Sequence, residues 1–171
     1  VEIIVHTAVV IVFSPKLIEN FHHSNYEYRM TQSRFTKQMA LFTFLSAGFL
    51  LVIIYPIILF LNNDAFLADF DAFIVLVIAE MIFNGSLIFH YILYVRKSDV
   101  SIVKATIAAA VLNILLNFIL IPEYSILGAA MASLFSFTAL MFAKMYYSRH
   151  YPEARRIIFL QFKRRKKKSG E

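Results

Sequence analysis

Phe70 to Val95 reads FDAFIVLVIAEMIFNGSLIFHYILYV, and beyond Arg96, Lys97, Ser98 and Asp99 the run Val100 to Ile121 reads VSIVKATIAAAVLNILLNFILI. A helix needs about 20 mostly apolar residues to cross a bilayer core roughly 30 Å thick, and both runs meet that requirement. The polar turn between them is short, so the two helices form an antiparallel hairpin. Working outward, Ile126 to Tyr147 follows across Pro122 to Ser125, and Met39 to Leu61 precedes across a turn ending at Asp69. Val1 to about Phe21 is apolar as well, interrupted by Pro15 and Lys16, and reads as the remainder of a truncated span. It has no basic leader before it and no small-residue cleavage site after it, unlike a signal peptide. The expected architecture is therefore all-α: a multi-pass transmembrane helix bundle with spans over 39–61, 70–95, 100–121 and 126–147. A loop over 22–38 and a basic tail over 148–171 lie outside the spans.

Composition agrees. Of the 171 residues 60% are hydrophobic and 16% charged, against roughly 45–50% and about 25% in soluble domains. One small soluble core could not hide so much apolar surface. The absence of Cys excludes disulfides, thiolate metal sites and Cys nucleophiles.

If the helices alternate in direction, all seventeen Lys and Arg fall on one side. Arg29, Arg34 and Lys37 lie in the 22–38 segment, Arg96 and Lys97 in the next turn on that side with Lys104 just beyond, and nine more follow Tyr147; Lys16 and Lys144 sit near the same face. The opposite connections carry only acids, Asp64, Asp69 and Asp71 in one and Glu123 in the other. By the positive-inside rule the basic side and the C-terminus are cytoplasmic, and the location is a cell membrane. A soluble helical protein would mix signs on both sides. The tail run Lys163 to Lys168 lies just past the last span, where basic residues gain about 1 kcal/mol each near anionic lipid. Membrane lipids are thus expected partners and nucleic acid is not.

Within the spans, Glu80 is the sharpest residue, because a carboxylate at that depth normally faces the bundle interior or water. At helical spacing Glu80, Asn84, Leu87, Tyr91 and Tyr94 share one face, half polar and half aromatic, which suits a sugar pathway. The alternative is that Glu80 is protonated or bonded to a neighbouring helix and holds the bundle together. Asn113 and Asn117 project one turn apart beside Thr106, Ala109 and Ala110, either packing against a helix or lining a cavity. Gly128, Ala132 and Ser136 place a small residue at every fourth position, the pattern of a helix contact. Pro56 should kink its span. His22 and His23 read as solvated loop residues, and His6 and His90 as polar helix contacts. There is no phosphate loop, metal-ligand cluster or nucleophile elbow, so neither a cofactor nor an enzymatic activity is expected.

From Asn113 to Ser136 the chain reads NILLNFILIPEYSILGAAMASLFS. This resembles the junction of the last two spans in polysaccharide flippases, the O-antigen exporter branch of the superfamily that includes multidrug and toxin extruders. Leu120, Ile121 and Pro122 and then Gly128, Ala129 and Ala130 carry the resemblance. Ser14 and Pro15 before Lys16, Leu17 and Ile18 look like the family's helix end ahead of a basic cytoplasmic loop, and Pro56 and Ile57 recur in the following span. The family commonly has Gly where Ser125 stands, and Gly in the turns occupied here by Asn62 to Asp64 and by Arg96 to Asp99.

The resemblance implies the C-terminal half of a fold of twelve or more helices, with this chain supplying the last four spans and part of a fifth. It implies a bacterial inner-membrane location and transport of an undecaprenyl-linked oligosaccharide by alternating access; Glu80, Asn84, Tyr91, Asn113 and Asn117, singled out above from their spacing in the spans, are then the candidate pathway residues. Lipid-linked oligosaccharide would be the substrate, and other polysaccharide assembly proteins would be contacts. A drug or cation antiporter of the same superfamily is the alternative, although one intramembrane acid is few for it. A membrane-embedded glycan polymerase or acyltransferase needs an active-site loop, for which the outer connections are too short.

Overall fold

The structure is a computed structural model that describes residues 6–61, 69–155 and 157. The described residues form helices and no strand: α1 (Ile11–His23), entered through a π-helical turn over His6–Val10, α2 (Asn25–Leu61), α3 (Phe70–Tyr94) and α4 (Asp99–Ser148). Three of these, over Asn25–Ile58, Phe70–Tyr94 and Asp99–Ser148, are long and apolar enough to cross a membrane. Their large exposed side chains, among them Phe44, Val52, Phe60, Phe118 and Ile119, suit a lipid environment better than water.

The segment expected as a cytoplasmic loop is largely helical. Ser24 is extended (φ −159°, ψ 130°) and starts α2, its Oγ accepting from the Tyr26 N–H at 3.3 Å. With Glu27 three residues on, the sequence Ser24-Asn25-Tyr26-Glu27 is a capping-box pattern. From there Tyr28, Gln32, Phe35 and Met39 are buried at helical spacing, so one turn after another of polar sequence still presents an inward stripe. Tyr28, Phe35 and Met39 form a core with Val9 and Val10 of the π-helical turn, Leu17 of α1 and Val95 beyond α3, onto which Leu87, Ile88 and Tyr91 pack. The Asn20 amide adds a bond across the α1–α2 hairpin to Thr31 Oγ1 at 2.7 Å. Pro15 also departs from expectation. It lies inside α1 rather than ending it, one turn beyond the π-helical stretch, where the missing Pro N–H matters least to a helix already widened. Pro56 is likewise inside α2.

Between α3 and α4 the chain turns through a Schellman motif. The Ser98 N–H donates to the Leu93 carbonyl (3.1 Å) and the Lys97 N–H to that of Tyr94 (2.9 Å), with Lys97 left-handed at φ 55°. Glycine normally takes that place because it has no Cβ to clash.

α4 is not a straight rod. Ser125 has φ 51° and ψ −126°, a non-helical pair at which two helical halves meet. A Cβ added at Gly128 would collide with the Leu120 carbonyl and come within 3.0 Å of the Ile121 nitrogen. Residues eight apart would lie about 12 Å apart along an unbroken helix, so the chain reverses at Ser125. Ala105 and Ala109 of the first half accordingly share a core with Leu140 of the second, with Phe83 of α3 against them. In the second half Gly128, Ala132, Ser136, Leu140, Lys144 and Ser148 are all buried, extending the expected small-residue stripe to the helix end. α3 is seated on this half through Phe83 and Phe137, whose rings are 4.9 Å apart. The turn around Asn63 and the run Lys163 to Lys168 lie outside the described residues.

Candidate functional site

The α3 residues singled out from the sequence face inward to different degrees. Asn84 is 1% exposed, Glu80 and Tyr91 are half-buried and Tyr94 is exposed. Tyr91 belongs to an aromatic contact, edge-on to Phe35 with centroids 5.3 Å apart, which joins α3 to α2. Asn84 is the unusual member. Among the described residues neither its Nδ2 nor its Oδ1 has a hydrogen-bond partner, and the Ser86 hydroxyl and His90 Nδ1 are in the same condition. A buried amide left unpaired costs about 1–3 kcal/mol, so these groups weigh against a purely structural role for the span.

Asn113 and Asn117 are joined by a hydrogen bond, Asn117 Nδ2 donating to Asn113 Oδ1 at 3.0 Å. Asn117 also borders a cavity of about 340 Å³ with Ile114, Phe118, Ile121 and Pro122. Glu80 and Asn84 are not among its walls, so the two polar pairs are not gathered there.

A second constellation assembles where the α1–α2 turn, the α3–α4 turn and the segment after α4 converge. Arg96 is at its centre. Its Nη1 donates to the Ile92 carbonyl (2.9 Å) and the Tyr28 hydroxyl (3.3 Å), and its Nη2 to Glu153 Oε2 at 2.6 Å. The guanidinium lies 4.4 Å from the Tyr151 ring centroid, 5.0 Å from that of Phe21 and 5.5 Å from that of Tyr28. With side chains 12% and 7% exposed, Arg96 and Glu153 form a buried pair. Ala154 packs on Phe89 and Ile92 nearby, and the Ser98 and Tyr151 hydroxyls are 3.3 Å apart. The first residues after α4 are thus docked on the bundle and not part of a free tail. The charge pattern assigns Arg96 to the basic face and says nothing of a buried partner. Lys144 was similarly assigned to that face, yet is only 3% exposed.

The chain matches no protein-family model, no curated protein and no solved structure.

Proposed function

We propose that the chain is the C-terminal part of a membrane flippase that moves a lipid-linked oligosaccharide from the inner to the outer leaflet of the bacterial cytoplasmic membrane, its C-terminus inside. The observation that supports a transport role is Asn84, an amide in the middle of a span with both polar atoms buried and unpartnered among the described residues. In alternating access such a group is enclosed in one state and meets water or sugar hydroxyls in the other, so its cost in the enclosed state is recovered on opening. Glu80, one turn away on the same helix, gives that face a carboxyl able to accept from sugar hydroxyls.

The choice of an oligosaccharide flippase rests on the resemblance around Pro122 and Gly128. Its support is local geometry: at Ser125, and in the turn at Lys97, where the family commonly has Gly, the backbone takes positive φ. Gly128 also stands where any larger residue would strike the preceding helix. The physical task is to pass a polar glycan and pyrophosphate while the lipid tail stays in hydrocarbon, which needs a cavity between helix bundles and no covalent chemistry.

Glu80→Gln in the full-length protein should leave its amount in the membrane near normal and reduce glycan export, and Asn84→Ala should give a milder defect. Export is measured as surface polysaccharide in cells lacking the wild-type copy. Normal export by a well-expressed Glu80→Gln protein would show that the carboxylate is dispensable.

A further inference from the structure

At the end of the bundle where Arg96 lies, a cavity of about 720 Å³ opens between α2 and the segment after α4. Its α2 wall presents Arg29, Gln32, Ser33, Thr36 and Lys37, residues three to four apart and hence on one helix face. Arg29 and Lys37 are exposed at the two ends of this stripe. Glu153 is on the facing wall with Ile157, but its charge is already matched by Arg96 at 2.6 Å, so among the described residues the cavity walls keep Arg29 and Lys37 without a bound counter-charge.

Between those cations sits Gln32, 3% exposed, with neither Nε2 nor Oε1 hydrogen-bonded among the described residues. Thr36 does not relieve it: the Thr36 hydroxyl donates instead to the Gln32 main-chain carbonyl at 2.9 Å. Buried amides are nearly always paired, so one that borders a cavity without a partner points to a ligand that supplies one. An amide offers one acceptor and two donor hydrogens. Flanked by a guanidinium, an ammonium and the Ser33 hydroxyl, it matches a phosphate ester that also carries a free hydroxyl.

The position of the cavity relative to the bilayer agrees. The apolar run of α2 begins at Met39. Lys37 and Ser33 lie about 3 and 9 Å beyond it at helical rise, which is the depth of the headgroup layer. We infer that this cavity binds a hydroxylated phosphate ester of the glycerophosphate type, presented as a phospholipid headgroup or free in the cytoplasm. The site requires only that α2 spans the membrane and is independent of what the protein transports.

The test is thermal unfolding of the full-length protein in a neutral maltoside detergent, titrated with short-chain phosphatidylglycerol, phosphatidylcholine or glycerol 3-phosphate. Ligand that binds the folded state raises the midpoint by mass action. Phosphatidylglycerol should raise it and phosphatidylcholine should not. If glycerol 3-phosphate acts alone at similar concentration, the source is soluble; if only the lipid acts, it is the membrane, and both outcomes support the site. Arg29→Gln with Lys37→Gln, both exposed changes, should weaken apparent affinity roughly thirtyfold. Gln32→Leu should weaken it about fivefold while leaving the ligand-free midpoint unchanged or raised, since an unpaired amide is removed. Replacing Lys163 to Lys168 by Gln should leave affinity near that of the wild type. The site is refuted if no phosphate ester shifts the midpoint, if the shift survives the Arg29/Lys37 variant, or if the Lys163 to Lys168 variant loses as much.

Discussion

Arg96→Ala is expected to destabilise the protein by about 3–5 kcal/mol, because it leaves the Glu153 carboxylate buried without its partner. The same change removes the contact that joins three chain segments. Tyr28 loses its donor, and the Phe21, Tyr28 and Tyr151 rings lose the cation set against them. Arg96→Met with Glu153→Leu should recover most of the loss, since an apolar pair of similar volume removes both the charge and its desolvation cost. Reversible unfolding in mixed micelles measures both variants. A loss below about 1 kcal/mol for Arg96→Ala would put the pair in the class of exposed, screened salt bridges and contradict its burial.

Gly128→Ala should cost about 3 kcal/mol, the upper part of the usual range for overpacking. The added methyl meets the Leu120 carbonyl, a backbone group that cannot rotate aside. Gly85→Ala is the matched control: its Cβ would meet only the Met141 sulfur at an ordinary 3.7 Å, and the substitution should be neutral or slightly stabilising through helix propensity. At the apex of the same turn Ser125→Gly should act in the opposite direction, stabilising by about 1 kcal/mol by relieving a side chain held at φ 51°. The same unfolding assay ranks all three. Equal effects for Gly128→Ala and Gly85→Ala would mean that the two halves of α4 do not approach at Gly128.

Hydropathy made the long helices legible, because membrane spans are set by length and apolarity alone and need no knowledge of partners. The reversal near Ser125 was legible too, since the apolar runs that end at Ile121 and begin at Ile126 leave only Pro122 to Ser125 to join them. The helical start of α2 was missed although a signal was present. Ser24 and Glu27 form a capping-box pattern, and Tyr28, Gln32, Phe35 and Met39 recur on one face; the polar composition of the segment outweighed that periodicity. Pro15 misled for a different reason, because a proline restricts a helix without always ending it. The Arg96 cluster was not readable at all. Its partners Tyr28 and Glu153 lie 68 and 57 positions away, and only the antiparallel packing brings them together. In the candidate pathway the face shared by Glu80, Asn84 and Tyr91 was legible from spacing, but the meeting of Tyr91 with the Phe35 ring depends on how α2 packs.

The reversal of α4 at Ser125 decides whether Ser98 and Ser148, the flanks of a 50-residue helix, lie on one side of the membrane or on opposite sides. Single Cys variants at Ser98, Tyr124 and Ser169 test it in a chain with no native Cys, using a membrane-impermeant thiol reagent added outside intact cells. The account predicts labelling at Tyr124 alone, with Ser98 and Ser169 reacting only after the membrane is permeabilised. Labelling of Ser98 or Ser169 from outside, or protection of Tyr124 until permeabilisation, would contradict it.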